Sequence, residues 1–246
     1  YGIGVDNIDV EAATYRGIRV TNVPDYCIEE VSNHALGLIL ALARKIIPLN
    51  STVKNGVWLY SKYKPIYRLR GKIVGLIGFG KIARNLGEKL KALGFHIITY
   101  DPYMALDEIK KHGIEAVSLA ELLKQSDFIS LHVPLTHETR HMISKNELKI
   151  MKNTSYIINT SRGSIIDEEA LYTALKEKWI SGAALDVLSN EKEVNIDYPL
   201  IKLDNIILTP HVAFYSEESI KELKTKAVGE VIRALTDKTL HYCVNE

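Results

Sequence analysis

Three side chains in the second half of the sequence have the types that reduction of a carbonyl needs: Arg162 in NTSRG, Glu191 five residues past Asp186, and His211 in LTPH. A guanidinium can hold a carboxylate in a planar fork and polarise the adjacent carbonyl as its oxygen gains charge. An imidazolium can give that oxygen its proton, and the neutral ring can take it back. A carboxylate against the second ring nitrogen stabilises the imidazolium and raises its pKa. Together the three suit interconversion of a 2-oxo acid and a 2-hydroxy acid, with a nicotinamide supplying or taking hydride. Taken singly, each has a blander reading: an Arg after a strand is commonly an ion-pair partner, a His after Pro a turn residue, and Asp186 a turn cap. The functional reading rests on their joint occurrence beside a nucleotide fingerprint.

That fingerprint lies in residues 72–101, KIVGLIGFGKIARNLGEKLKALGFHIITYD. The run 73–77 reads as a strand buried on both faces. Gly78, Gly80 and Ala83 follow in the G-x-G-x-x-A form: the first permits the turn, the second lets backbone approach a pyrophosphate, and the third lets a helix pack on the strand. Ala83, Leu86, Leu90 and Leu93 recur at helical spacing, and Gly94 is placed as a C-cap. The helix N-terminus at Lys81 and Ile82 therefore points at the turn, where a phosphate would be held. A second strand, 95–100, ends at Asp101, 21 residues after Gly80. A carboxylate there suits ribose hydroxyls and repels a 2′-phosphate, so the cofactor expected is NAD.

Strand and helix patterns alternate through the rest of the chain. Strands are expected at 18–23, 127–131, 156–159, 181–185 and 206–208, and helices at 10–16, 28–47, 51–60, 119–125 (N-cap Ser118), 145–151, 168–178 (opened by Asp167) and 216–236. Such alternation implies an α/β fold of the Rossmann type, a doubly wound parallel sheet with helices on both faces. Ligands in such sheets bind beyond the carboxyl ends of the strands. The residues there are His132, Val133 and Pro134; Thr160, Ser161 and Arg162; Asp186; and Pro210 and His211. The helix 28–47, apolar nearly all round, reads as buried between two bodies, either domains or subunits.

Charge is nearly balanced, 31 Lys+Arg against 30 Asp+Glu in 246 residues, and no basic stripe interleaved with aromatics marks a nucleic-acid surface. Cys27 and Cys243 belong to no Cys/His cluster, so neither zinc nor a disulfide framework is expected, and a reducing, cytoplasmic setting fits. No signal peptide opens the chain and the longest apolar stretch, 35–43, is short for a bilayer. His34, His96, His112, His137, His141 and His241 show no partner spacing and read as structural or solvated.

At these residues the sequence resembles the D-isomer-specific 2-hydroxyacid dehydrogenase family along its whole length. The blocks are GIGVDNIDV, GFGKIA with YDPY, LHVPLTHETRHMI, MKNTSYIINTSRGSIIDEEAL, GAALDV with Glu191, and LTPHV. The resemblance implies a nucleotide domain inserted into a flavodoxin-like substrate domain, here 25–211 between 1–24 and 212–246. It carries the catalytic roles onto Arg162, Glu191 and His211. Cofactor contacts fall on Gly78, Gly80, Lys81, Ile82, Asp101, Val133, Pro134, Thr139, Thr160 and Asp186, the last near the carboxamide. Backbone at Ile3 and Gly4 would receive the substrate carboxylate, and Asn22 would be a polar residue of the same cleft. Within the family, YCIEEVSNHAL, HVAFYSEES and CVNE look most like the C-terminal binding proteins and their dehydrogenase relatives, so an NAD-sensing corepressor stands as the second reading and an inactive NAD-binding fragment as the third. Family members carry about another half-domain ahead of the opening and commonly form homodimers, so a partial substrate domain and a homodimer are expected.

Overall fold

Short apolar runs, shielded on both faces, build one sheet. In the computed structural model, which describes residues 1–245, they are β1 (Ile73–Ile77), β2 (His96–Tyr100), β3 (Glu115–Ala116), β4 (Phe128–Leu131), β5 (Tyr156–Asn159), β6 (Gly182–Leu185) and β7 (Ile206–Leu208). Every pairing is parallel, in the order β3-β2-β1-β4-β5-β6-β7. The order reverses direction between β1 and β4, which opens a crevice beyond their carboxyl ends. Register brings Ile77 level with Tyr100 and Leu131, and Asn159 level with Leu131 and Leu185. The residues that follow these strands therefore emerge along one edge.

The helices are α1 (Val10–Tyr15), α2 (Ile28–Arg44), α3 (Ile46–Lys54), α4 (Lys81–Ala92), α5 (Leu106–Lys111), α6 (Leu119–Gln125), α7 (Lys145–Ile150), α8 (Glu168–Lys176) and α9 (Glu217–Leu235). Alternation along each strand splits the core in two. On one face Ala35, Leu38, Ile39 and Leu42 of α2 join Ala83, Leu86 and Leu90 of α4 over Val74, Leu76, Ile97 and Ile158. On the other, Leu122 of α6, Leu148 of α7 and Leu171 and Leu175 of α8 cover Ile77, Ile98, Ile129 and Ile157. Ser118 and Glu121 form a capping box on α6, and Asp167 accepts the Glu169 and Ala170 N–H groups at the start of α8.

The chain divides into two compact units, one from residues 1–30 and the segment from Phe214 onward, the other Val31–Ala213. The expected divisions were 24/25 and 211/212. Unit 1 lacks the sheet expected of a flavodoxin-like domain: among its described residues the 18–23 strand is reduced to a single antiparallel bridge, Thr21 to Cys243. Val23 N–H donates to Gly2 O at 2.8 Å and Asn22 Nδ2 to Ile3 O at 2.9 Å, so its Gly-rich opening is pinned locally. Buried Glu230 accepts the His241 and Tyr242 N–H groups and anchors the tail to α9.

The long helix expected over 28–47 is broken at Lys45, a left-handed residue (φ 53°) between α2 and α3. Pro48 explains the break: it has no N–H to give Arg44, and its ring would clash with that carbonyl in a continuous helix. On α2 the apolar residues Ala35, Leu38, Ile39 and Leu42 pack on the sheet within unit 2. Among the described residues no single helix is long and apolar enough to cross a membrane; α2 with α3 reaches that length only as a pair bent by 61°. Helix α5 and strand β3, which lack a clear apolar period, were not expected.

Leu86 is fully buried beneath the sheet. Leu86→Ala should destabilise unit 2 by about 2–5 kcal/mol through lost burial plus the residual cavity, measured as a lowered midpoint in urea with an unchanged slope.

Candidate active site

The nucleotide end is built by two glycine contacts and an uncapped helix. Gly78 has φ +89°, and a Cβ there would lie 2.6 Å from the His132 carbonyl oxygen and 2.9 Å from Val133 Cγ1, so any other side chain would wedge β1 from β4. Gly80 is the N-cap of α4, makes no side-chain cap, and would direct a Cβ into open space. The first-turn N–H groups at Lys81 and Ile82 are thus left to an anion. Asp101 binds this turn: Oδ2 accepts the Phe79 N–H at 2.8 Å, and Oδ1 accepts those of Tyr103 and Met104 at 2.9 and 3.1 Å. The carboxylate expected to meet ribose therefore also holds the turn in shape.

Beyond β4, His132 lies under the glycine turn, its N–H donating to Ile77 O at 2.7 Å and its Nε2 2.9 Å from the buried Ser130 hydroxyl. Burial pushes its pKa down to about 4, so the ring is neutral at physiological pH. Val133 and Pro134 lead into a turn closed by Thr139, whose hydroxyl donates to Pro134 O at 2.6 Å and accepts the Thr136 N–H at 2.8 Å. Thr139 thus shapes the loop through its side chain. Thr160, after β5, has a buried hydroxyl with no hydrogen-bond partner among the described residues. A buried orphan of this kind calls for a ligand.

Arg162 is directed by Asn159, the last residue of β5, whose Nδ2 donates to Arg162 O at 2.9 Å and whose Oδ1 accepts the Ser161 N–H at 3.0 Å. Ser161 Oγ donates to Leu131 O at 2.8 Å, and Arg162 Nη1 donates to Ser161 O at 2.8 Å. Gly163 then lets this loop rest on the next one, since a Cβ would fall 2.0 Å from the Leu188 carbonyl carbon.

The following connection carries Glu191 and His211. Asp186 is buried at the end of β6 and organises it. Its Oδ1 accepts the Thr209 hydroxyl at 2.5 Å and the Val212 N–H at 3.0 Å; Oδ2 accepts the Ala213 N–H at 2.9 Å, and its carbonyl the His211 N–H at 2.8 Å. These bonds hold His211 at φ +52°, unusual for a non-glycine residue. His211 Nδ1 lies 3.0 Å from both Glu191 carboxylate oxygens. That contact puts a proton on Nδ1 and leaves Nε2 for proton exchange. A cavity of ≈ 660 Å³ lined by Asp186, Glu191, Thr209 and His211 with Leu188, Ile201 and Leu208 borders the pair.

Unit 2 thus collects the glycine turn, Val133, Pro134, Thr160, Arg162, Asp186, Glu191 and His211 along one sheet edge. Ile3, Gly4 and Asn22 lie together in unit 1. Glu168 was missed: it accepts the Ser189 N–H at 2.6 Å and the Tyr198 hydroxyl, clasping the loop on both sides of Glu191. Its place in the first turn of α8 explains it from sequence as a dipole partner alone. His34 was also missed. Its Nε2 lies 3.0 Å from Thr209 Oγ1 and 3.5 Å from Asp186 Oδ1, a meeting made by packing across 175 residues that no sequence spacing announces.

A parallel nucleotide fold with a glycine cradle, an uncapped helix start, an orphan hydroxyl and a Glu–His pair at the strand ends defines an NAD-dependent oxidoreductase. Comparison with known proteins identifies the family. Residues 36–213 match the model of the D-isomer specific 2-hydroxyacid dehydrogenase NAD-binding domain, and the chain belongs to that family. It is 43% identical over 222 residues to a glyoxylate reductase of Korarchaeum cryptofilum, covering 89% of this chain and 67% of that one. It is 44% identical over 245 residues to a D-3-phosphoglycerate dehydrogenase of Methanocaldococcus jannaschii, covering 99% of this chain but only 46% of that one. Among solved structures, the D-lactate dehydrogenase of Aquifex aeolicus complexed with NAD and lactic acid superposes with a TM-score of 0.93 at 32% identity, over 100% of this chain and 78% of that one.

These relatives carry the names of metabolic dehydrogenases, which corrects the narrower likeness to C-terminal binding proteins. The segments behind that likeness also carry structural roles: residues 26–36 lead into α2, Ser216 accepts the Ser219 N–H at the start of α9, and Cys243 bridges to Thr21, while His211 at the head of HVAFYSEES belongs to the site itself.

The depressed pKa of His132 makes a stability prediction. An unfolded histidine gains its proton near pH 6.5 while the native ring does not until about pH 4, so stability falls as pH drops through this window. Between pH 7 and 5 the parent should lose on the order of 2 kcal/mol that His132→Gln does not lose, measured by urea unfolding at each pH.

Proposed function

We propose that the chain reduces a small 2-oxo acid, of the size of glyoxylate, pyruvate or hydroxypyruvate, to the D-2-hydroxy acid, and catalyses the reverse oxidation. The observation that carries this reading is the Glu191–His211 pair, 3.0 Å apart, on the sheet edge that also presents Arg162 and the glycine turn. NAD fits the residues present. Gly78, Gly80, Lys81 and Ile82 would receive its pyrophosphate and Asp101 its ribose, while Val133, Pro134, Thr139 and the orphan Thr160 hydroxyl would border it toward Asp186. When bound, the nicotinamide supplies or accepts the hydride.

Arg162 would hold the substrate carboxylate and draw charge from the carbonyl. His211 would deliver its Nε2 proton to the carbonyl oxygen, with Glu191 stabilising the imidazolium that precedes transfer. Unit 1 is proposed as part of a substrate domain, in which the backbone at Ile3 and Gly4 and the polar side chain of Asn22 are the substrate-facing groups. Both cysteines are free, as the proposed reducing, cytoplasmic setting would leave them, and burial pushes the Cys27 thiol up to about 11, which keeps it an inert thiol. A homodimer is proposed with α3 and the stretch after it in its interface, because Ile46, Ile47, Val57, Trp58 and Tyr60 are exposed there.

NADH oxidation should be measured with a panel of these 2-oxo acids, and D-3-phosphoglycerate oxidation beside it. The expected result is turnover of a small acid that falls about 10²–10⁴-fold in His211→Ala and strongly in Arg162→Ala, with NADH still bound. Normal turnover in either variant would make the assigned roles wrong. NADH-dependent recovery of a transcription factor, without turnover, would favour the corepressor reading instead. Light scattering should give a dimer mass that Trp58→Glu shifts toward the monomer.

A further inference from the structure

We propose that His34, on α2, is a positioning residue for the proton donor, acting on His211 through the Thr209 hydroxyl and the Asp186 carboxylate; the proposal rests on the dehydrogenase reading above. Thr209 has one hydroxyl proton. At 2.5 Å from Asp186 Oδ1, a carboxylate that only accepts, that proton is committed to the aspartate. Toward His34 Nε2, 3.0 Å away, Thr209 Oγ1 can then only accept. Nε2 must therefore carry a hydrogen. The opposite tautomer would set a ring lone pair against the hydroxyl oxygen and a carboxylate oxygen at 3.5 Å.

Asp186 is 1% exposed, so its charge depends on donors. Those donors are the Thr209 hydroxyl and the N–H groups of Val212 and Ala213, the two residues after His211. Without His34, the Thr209 hydroxyl loses the donor that fixes its rotamer, and Oδ1 loses its shortest bond whenever the hydroxyl turns away. The 211–213 backbone then has less to hold it in the left-handed turn from which His211 reaches Glu191. His34 itself is rigidly placed, because its neighbours Ala35 and Leu38 are buried in the core beneath the sheet. An effect of about tenfold on rate is within what a small misplacement of a proton donor produces.

The test combines histidine ring NMR with kinetics on the parent, His34→Ala, His34→Gln and Thr209→Val. Expected are an Nε2–H tautomer for His34, displaced His211 ring resonances in His34→Ala, and a kcat roughly tenfold lower with NADH affinity changed less than about twofold. His34→Gln, which keeps an N–H donor, should restore most of the rate. Thr209→Val, which removes the Asp186 donor outright, should lose at least as much as His34→Ala, and the double variant should lose no more than Thr209→Val alone. An Nδ1–H tautomer, an unmoved His211 ring in His34→Ala, or a Gln variant no better than Ala would each overturn the proposal. If the parent turned over none of the acids, the dehydrogenase reading would fail, while the tautomer and the His211 resonances would still decide the role of His34.

Discussion

A buried carboxylate must be surrounded by donors, and meeting that demand at Asp186 shapes the end of the sheet where Glu191 and His211 meet. The group sits at the end of a fully buried strand, where leaving a charge unpaired would cost several kcal/mol. Its donors come from the Thr209 side chain and from the backbone just beyond His211. Satisfying Asp186 therefore forces the chain after β7 to turn back across the end of β6. That turn holds His211 at a positive φ and brings its ring against Glu191. The Glu191–His211 contact is a consequence of how one buried charge is neutralised.

The nucleotide end follows a different rule, the close approach of backbone. Gly78 admits the His132 carbonyl where a Cβ would collide, and Gly80 leaves the α4 N-terminus bare. The amides that would normally be capped by a side chain face outward, and Asp101 fastens the turn through the Phe79 N–H. His132, which lies beneath, is neutral and adds no charge of its own. The two ends are joined by the parallel register, which aligns the last residues of β1, β4, β5 and β6.

Six of the seven strands, their parallel pairing and most helices were legible because each carries a local signal: short apolar runs buried on both faces, helical stripes, caps at Ser118, Asp167 and Ser216. Errors fell where the signal was nonlocal or overridden. The 28–47 stripe is continuous in hydrophobicity, yet Pro48 breaks the helix at Lys45. The 18–23 run has strand composition but meets only Cys243 as a bridge partner, because a strand exists only where another chain segment lies beside it.

By itself the sequence determined the nucleotide fold and the NAD fingerprint, and it marked Arg162, Glu191 and His211 as groups whose chemistry suits a 2-oxo acid. These follow from residue type and from short-range spacing, which the chain carries wherever it folds. Only the tertiary structure decided that Glu191 and His211 touch at 3.0 Å, that Glu168 clasps the loop on both sides of Glu191, and that His34 reaches Asp186 and, across 175 residues, Thr209. Such contacts join segments that are brought together by packing two apolar faces of one sheet. No pattern within a single segment encodes which distant polar group will be buried beside it.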